Sequence, residues 1–141
     1  MSGKYEIYTD AARFDIGLIH ATLSTSYWAE GRTRETVERS IRHSLCFAVF
    51  DGDKQVAFAR VITDRAVFGY LADVFVVPEY RGRGISKGLM AAILEHPDIK
   101  ELKLVLLRTR DAHRLYAQFG FTTIPSPGEI MARYQGDREV Q

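Results

Sequence analysis

Apolar positions along the chain alternate or run together in seven stretches: Tyr5–Tyr8, Cys46–Phe50, Gln55–Ile62, Tyr70–Val77, Leu102–Leu107, Phe121–Ile124 and Ile130–Tyr134. Alternation, or a short apolar run bounded by turn residues, predicts strands. Between them the spacing changes to that of helices. Phe14 to Leu23 carries apolar residues on a helical period, and Thr33 can cap a polar second helix running through Ser44. Ile85, Leu89, Ala92, Ile93 and His96 line a third, which Pro97 ends. A fourth follows Asp111, a good N-cap, sets Ala112, Leu115, Tyr116 and Phe119 on one stripe, and stops at Gly120, suited to a left-handed C-cap. Asp51-Gly52-Asp53-Lys54 between two strands predicts a hairpin. The predicted order is βααβββαβαββ: a mixed α/β domain whose central mixed sheet has six or seven strands, with about four helices.

At 141 residues and 46% hydrophobic content, one domain over 1–141 accounts for the chain. Nineteen Lys and Arg against 18 Asp and Glu give a formal charge of +1, with no general drive toward nucleic acid or an anionic membrane. An anion site must then be local. The charged face of the second helix reads as solvated surface. Cys46 is the only cysteine, which excludes an internal disulfide and a Cys-rich zinc site; its apolar surroundings predict a buried, inert thiol. His20, His43 and His96 form no metal-ligand spacing, and His113 reads as a helix-surface residue, so no metal is expected. No stretch approaches the ~20 apolar residues of a membrane span, and a soluble, cytoplasmic protein is expected. Gln135–Gln141 reads as a frayed tail.

The most informative stretch is Val76-Val77-Pro78-Glu79-Tyr80-Arg81-Gly82-Arg83-Gly84-Ile85-Ser86, which leaves a buried strand and enters the third helix. Gly82 and Gly84 permit a close turn, so consecutive N–H groups can point at phosphate oxygens where the helix dipole favours negative charge. Arg81, Arg83 and Lys87 add positive charge. A plain strand-to-helix turn with solvated arginines is the alternative. A dinucleotide fingerprint fails because position 87 is Lys, and the ending of a P-loop is missing. Asp73 interrupts an apolar strand. Either it is a hydrogen-bonded structural aspartate, or its charge lacks a partner and it serves as a base. On pattern alone Tyr116 is a core tyrosine, and Asp111 a cap.

Arg81-x-x-Gly84-x-Ser86 after Val77-Pro78 resembles motif A of the GCN5-related N-acetyltransferase (GNAT) family, Arg/Gln-x-x-Gly-x-Gly/Ala. Leu115-Tyr116-Ala117-Gln118-Phe119-Gly120-Phe121 resembles that family's helix-four motif, and the element order matches over most of the chain. The resemblance implies a GNAT-like acyl-CoA N-acyltransferase fold. It implies acetyl-CoA as donor, no metal, and direct attack by a primary amine of a small-molecule or peptide acceptor. It places the amides of Arg83, Gly84, Ile85 and Ser86, beside Arg81 and Gly82, on the coenzyme pyrophosphate, and Phe75, Val76 and Val77 along the pantetheine. Asp73 becomes the expected base, Tyr116 the expected acid and Asp111 a coenzyme contact. Tyr27, Trp28 and Glu30, between the first two helices, border the acceptor, although a packing role for Trp28 stands equally. Ser86 departs from the family pattern, since its hydroxymethyl group lies where the pyrophosphate approaches. The competing reading is a catalytically silent coenzyme-A-binding regulatory domain, or a protein-interaction domain on the same scaffold. An exposed strand edge leaves room for a homodimer.

Overall fold

A computed structural model of the chain describes residues 4–136; most of the expected frayed tail lies outside them. Five strands form one sheet in the order β1 (Tyr5–Tyr8), β2 (Leu45–Asp51), β3 (Lys54–Thr63), β4 (Phe68–Val76) and β5 (Leu104–Leu107). β1 to β4 pair antiparallel, and β5 joins β4 in parallel. The hairpin between β2 and β3 turns through Gly52 at φ 61°, a left-handed angle that glycine takes without steric cost.

The helices are α1 (Ile16–Ser24), α2 (Arg34–Arg42), α3 (Ile85–Glu95) and α4 (His113–Ala117). Asp15 caps α1 through the Leu18 N–H and Thr33 caps α2 through that of Thr36. Six consecutive residues of β2, Leu45 to Phe50, are buried, which requires cover on both faces of the sheet. Alternation along β2 identifies the two covers. Phe47 meets the His96 ring at the end of α3, whereas Cys46 turns its thiol to the Ile41 carbonyl of α2.

Among the described residues the sheet has five strands rather than six or seven. Phe121–Ile124 and Ile130–Tyr134 are apolar enough to read as strands, yet both leave the sheet, and residues 122–136 are exposed throughout. β5 is therefore an edge strand. It begins at Leu104, two residues later than the apolar pattern predicts.

The capping of α4 also differs from expectation. Ala112 occupies the cap position, and its N–H is met by Thr109 Oγ1 at 3.0 Å, while Asp111 is exposed and takes no part in the cap. The other end follows the sequence. Gly120 adopts φ 88°, its N–H donates to the Ala117 carbonyl, and the Phe121 N–H donates to the Tyr116 carbonyl, the paired closure of a Schellman motif.

Candidate active site

β4 and β5 run side by side only from Phe68↔Leu104 to Leu71↔Leu107. Beyond Leu71, β4 continues to Val76 with its β5 side open, and a bulge lies at the point of parting. Between the pairs Arg60↔Ala72 and Phe58↔Phe75, β3 spends one residue where β4 spends Asp73 and Val74. A bulge of this kind bends its strand and re-aims a side chain. Asp73 takes up the distortion at φ 56°, a left-handed angle that aspartate tolerates better than most residues.

The Asp73 carboxylate is buried and fully engaged. Trp28 Nε1 donates to Oδ1 at 2.9 Å, and Arg32 Nη1 and Arg60 Nε both donate to Oδ2, at 2.9 and 2.8 Å. Arg60 also reaches Ser44 Oγ at 3.2 Å. The expectation of a carboxylate short of partners is thus not met, since two guanidinium groups compensate it. Of the alternatives open in the sequence, the hydrogen-bonded aspartate describes this geometry. Arg60 interrupts an apolar strand just as Asp73 does, and that shared anomaly was the signal available for pairing them. Arg32 follows Trp28 by one helical turn of sequence and carried no signal of its own.

Trp28 carries the network outward. Its ring meets Tyr27 edge-on at 5.1 Å, and the Tyr27 ring lies beneath the Arg110 guanidinium at 3.7 Å. The Arg110 N–H donates to the Tyr27 hydroxyl at 3.4 Å, which ties the α1–α2 connection to the segment following β5. Tyr116 belongs to the same neighbourhood. Burial raises its hydroxyl pKa above the ordinary tyrosine value, and Tyr27 and Asp111 push the same way. Its ring packs on Phe121 at 5.9 Å, and its hydroxyl makes no hydrogen bond among the described residues. Glu30 is exposed and forms no ion pair among them.

The second half of the site is the turn after β4. A short 3-10 turn, Pro78–Tyr80, leads to Gly82 and Gly84, at φ 78° and 79°. Gly84 is the N-cap of α3 and brings no side chain to it, so no side-chain oxygen caps the helix. The first N–H groups of α3 therefore face outward with the positive end of the helix dipole. They border a cavity of about 210 Å³ lined by Val76, Tyr80, Arg81, Gly82, Gly84, Ile85, Ser86, Lys87 and, from α4, Leu115. Arg81 braces the turn by donating from Nε to the Val76 carbonyl at 3.1 Å, and Arg83 donates to the Glu79 carbonyl while covering the Tyr80 ring. No carboxylate pairs with Arg81, Arg83 or Lys87 among the described residues. Ser86 lines the cavity. Phe75 and Val77, like Val76, are buried at the end of β4.

An open strand end joined to an uncapped helix start flanked by cationic side chains is an arrangement that can receive an anion. Comparison with known proteins agrees. Residues 42–123 match the family model of the acetyltransferase (GNAT) domain, and the chain belongs to that family. A Xanthomonas campestris pv. campestris protein assigned to the GNAT family is 52% identical in sequence, and its crystal structure superposes with a TM-score of 0.91 over 93% of each chain. A curated Gibberella zeae protein named "Putative acetyltransferase" is 28% identical over 137 residues, covering 82% of this chain and 77% of its own. Rv2747 of Mycobacterium tuberculosis, solved in complex with CoA, shares the fold at TM-score 0.67 and 20% identity, over 84% of this chain and 72% of its own.

Proposed function

We propose that this acetyltransferase-family chain transfers the acetyl group of acetyl-CoA to a primary amine of a small-molecule or peptide acceptor by direct attack, without a metal. The observation that carries the reading is the cradle from Gly82 to Lys87. An uncapped helix start, two left-handed glycines and cationic side chains with no carboxylate partner among the described residues open beside the parted end of β4. These residues suit the pyrophosphate, with Arg83, Gly84, Ile85 and Ser86 offering amides and Arg81 holding the turn. Phe75, Val76 and Val77 then follow the pantetheine. Acetyl-CoA supplies an acyl group already activated as a thioester.

The amine nitrogen bonds to the acyl carbon as the carbon–sulfur bond breaks, and the departing sulfur takes a proton. Tyr116 is assigned to that proton. It stands in α4 next to Leu115, which lines the cradle, and its burial keeps the hydroxyl protonated at neutral pH. Asp73 is assigned to positioning. It fixes Trp28 and Arg32, and through Trp28 the Tyr27 wall, while the amine's proton leaves through water. Trp28 and Tyr27 shape the acceptor side, with Glu30 and Asp111 at its solvent rim.

Calorimetric titration with acetyl-CoA, beside a Gly84→Arg variant, tests the cradle. Saturable binding that the folded variant loses is expected, followed by amine-dependent thiol release in which Tyr116→Phe is slower. Binding without release across a broad amine panel would mark a silent regulatory domain, and no binding would leave an interaction domain.

A further inference from the structure

A second cavity, of about 270 Å³, lies between α2 and the sheet, away from the glycine turn. α2 brings Arg39 and His43 to it, while Ser44, Arg60 and Ile62 border it from the sheet side, and none of its lining residues is acidic. Arg60 faces α2 because it pairs with Cys46, whose thiol turns to the Ile41 carbonyl of that helix. Arg39 approaches a carboxylate only at 4.0 Å, that of Glu35, and both side chains are well exposed, an arrangement that contributes little. The face of α2 that reads as solvated surface thus forms one wall of a cationic recess.

Arg60 ties this recess to the Asp73 network. Its side chain is 11% exposed, its Nε donates to Asp73 and its Nη1 to Ser44 Oγ, and its Nη2 makes no hydrogen bond among the described residues. No buried side-chain nitrogen among them lacks a partner, so Nη2 is accessible from outside. Ser44 accepts from Arg60 and keeps its own hydroxyl proton to donate. The network is also unbalanced in charge. Arg32 and Arg60 each bring a positive charge and Asp73 brings one negative charge, which leaves a surplus of one positive charge on side chains 10%, 11% and 1% exposed. A charge held so far from water calls for a counter-ion.

We propose that this recess is an anion subsite for the acceptor, and that the acceptor is a primary amine that also bears a carboxylate. The proposal rests on the acetyl-transfer reading above and narrows its substrate class. The carboxylate sits against Arg60 Nη2 and the Ser44 hydroxyl, a charge-assisted pair, with Arg39 and His43 at the mouth. A single carboxylate matches the single surplus charge, whereas a phosphate dianion would exceed it. Ile62, 41% exposed, offers the methylenes of the acceptor an apolar floor. Arg60 spans from Ser44 to Asp73, and Asp73 marks the bulge where β4 parts from β5. An acceptor anchored on Arg60 therefore extends its amine toward the open end of β4, on the side that Trp28 walls.

Two measurements separate this proposal from the reading it rests on. The probes are matched sets on one carbon skeleton at several chain lengths: an aminocarboxylate, its amide and the corresponding amine phosphate. Each is titrated into the protein, with and without CoA, and followed by the backbone amide signals of His43, Ser44 and Leu45. Saturable shifts are expected from aminocarboxylates, with amides weaker by about 10-fold or more. Thiol release from acetyl-CoA should then favour aminocarboxylates over their amides by about 10-fold or more in kcat/KM. The double variant Arg39→Glu/His43→Glu alters exposed side chains, so far-UV circular dichroism should persist, while KM for aminocarboxylates rises about 10-fold and the preference over amides disappears. Comparing that preference between wild type and variant cancels the different basicities of the amines. Absence of shifts at His43 to Leu45 would overturn the subsite. Thiol release indifferent to the carboxylate, or a preference that the variant retains, would overturn it and leave acetyl transfer standing. A preference for amine phosphates would overturn the carboxylate assignment. Shifts without thiol release from any probe would support the anion subsite and overturn the transfer reading.

Discussion

Asp73 is a residue whose type and backbone both matter. Its φ of 56° suits Asp or Asn, and its carboxylate accepts three donors, two of them guanidinium groups whose side chains are 10% and 11% exposed. Asp73→Asn keeps the backbone preference and removes the charge, leaving Arg32 and Arg60 without a counter-ion. Breaking a mostly buried pair in this way costs about 3 kcal/mol or more, read as a lower urea midpoint. Asp73→Ala should lose about 1 kcal/mol further, from the left-handed backbone. A base would behave otherwise, with Asn lowering kcat at unchanged stability. Tyr116 gives the complementary case. Burial is the main cause that raises its pKa above 10.0, so the hydroxyl stays protonated below that pH, and loss of the acid can depress the rate only above it. Tyr116→Phe should therefore lower kcat by a constant factor of about 100 between roughly pH 7 and 9, in a rate-against-pH profile parallel to wild type. Cys46 is predicted to be inert. Burial pushes its thiol up to about 12, so at pH 8 only about one molecule in ten thousand carries the thiolate. A chromogenic disulfide reagent should label it in urea and not in the native protein. Its burial was legible from the apolar run around it. The Asp73 pairing left only a hint, a charge interrupting each of two apolar strands, because chain order leaves the register of Arg60 and Asp73 open.

The elements differ in how far each is determined by its own sequence. α2 starts at Thr33 and α4 stops at Gly120 because those residues satisfy helix ends locally, and both were readable. The start of α4 was not, since Thr109 reaches the Ala112 N–H from outside the helix and displaces Asp111 from that task. The two missing strands mark the same limit. Phe121–Ile124 and Ile130–Tyr134 have strand-like patterns, but a strand exists only with a partner, and none is supplied within the described chain. The cradle shows local determination at its strongest. A Cβ at Gly84 would meet nothing within 4 Å, so glycine is required there by its φ of 79° and not by crowding. Gly84→Ala should thus cost only about 1–2 kcal/mol of stability, measured by thermal unfolding. Its effect on coenzyme affinity should exceed that share, because the αL cap aims the first amides of α3. A variant that loses stability and keeps wild-type affinity would show that those amides do not hold the ligand.

At the scale of the whole molecule, the cradle joins the end of β4 and the first turn of α3, which follow one another in the chain, to Leu115 of α4, which lies far along it beyond β5. A ligand that bridges them binds the folded state alone and must stabilise it by mass action. At a concentration of one hundred times Kd the gain is about 2.7 kcal/mol, and for a chain of this length each kcal/mol raises Tm by roughly 2–4 °C. Saturating acetyl-CoA should therefore raise Tm by about 5–10 °C, and CoA by nearly as much, since the acyl group lies beyond the cradle. Pantetheine, which lacks the pyrophosphate, should shift Tm far less, and the shift with acetyl-CoA should disappear in Gly84→Arg. The ranking separates two ways in which a coenzyme could stabilise the protein. Equal shifts from pantetheine and acetyl-CoA would place the binding energy on β4 and deprive the glycine turn of its assigned task. A large shift confined to ligands with the pyrophosphate ties the helix start of α3 to the anion it is oriented to receive.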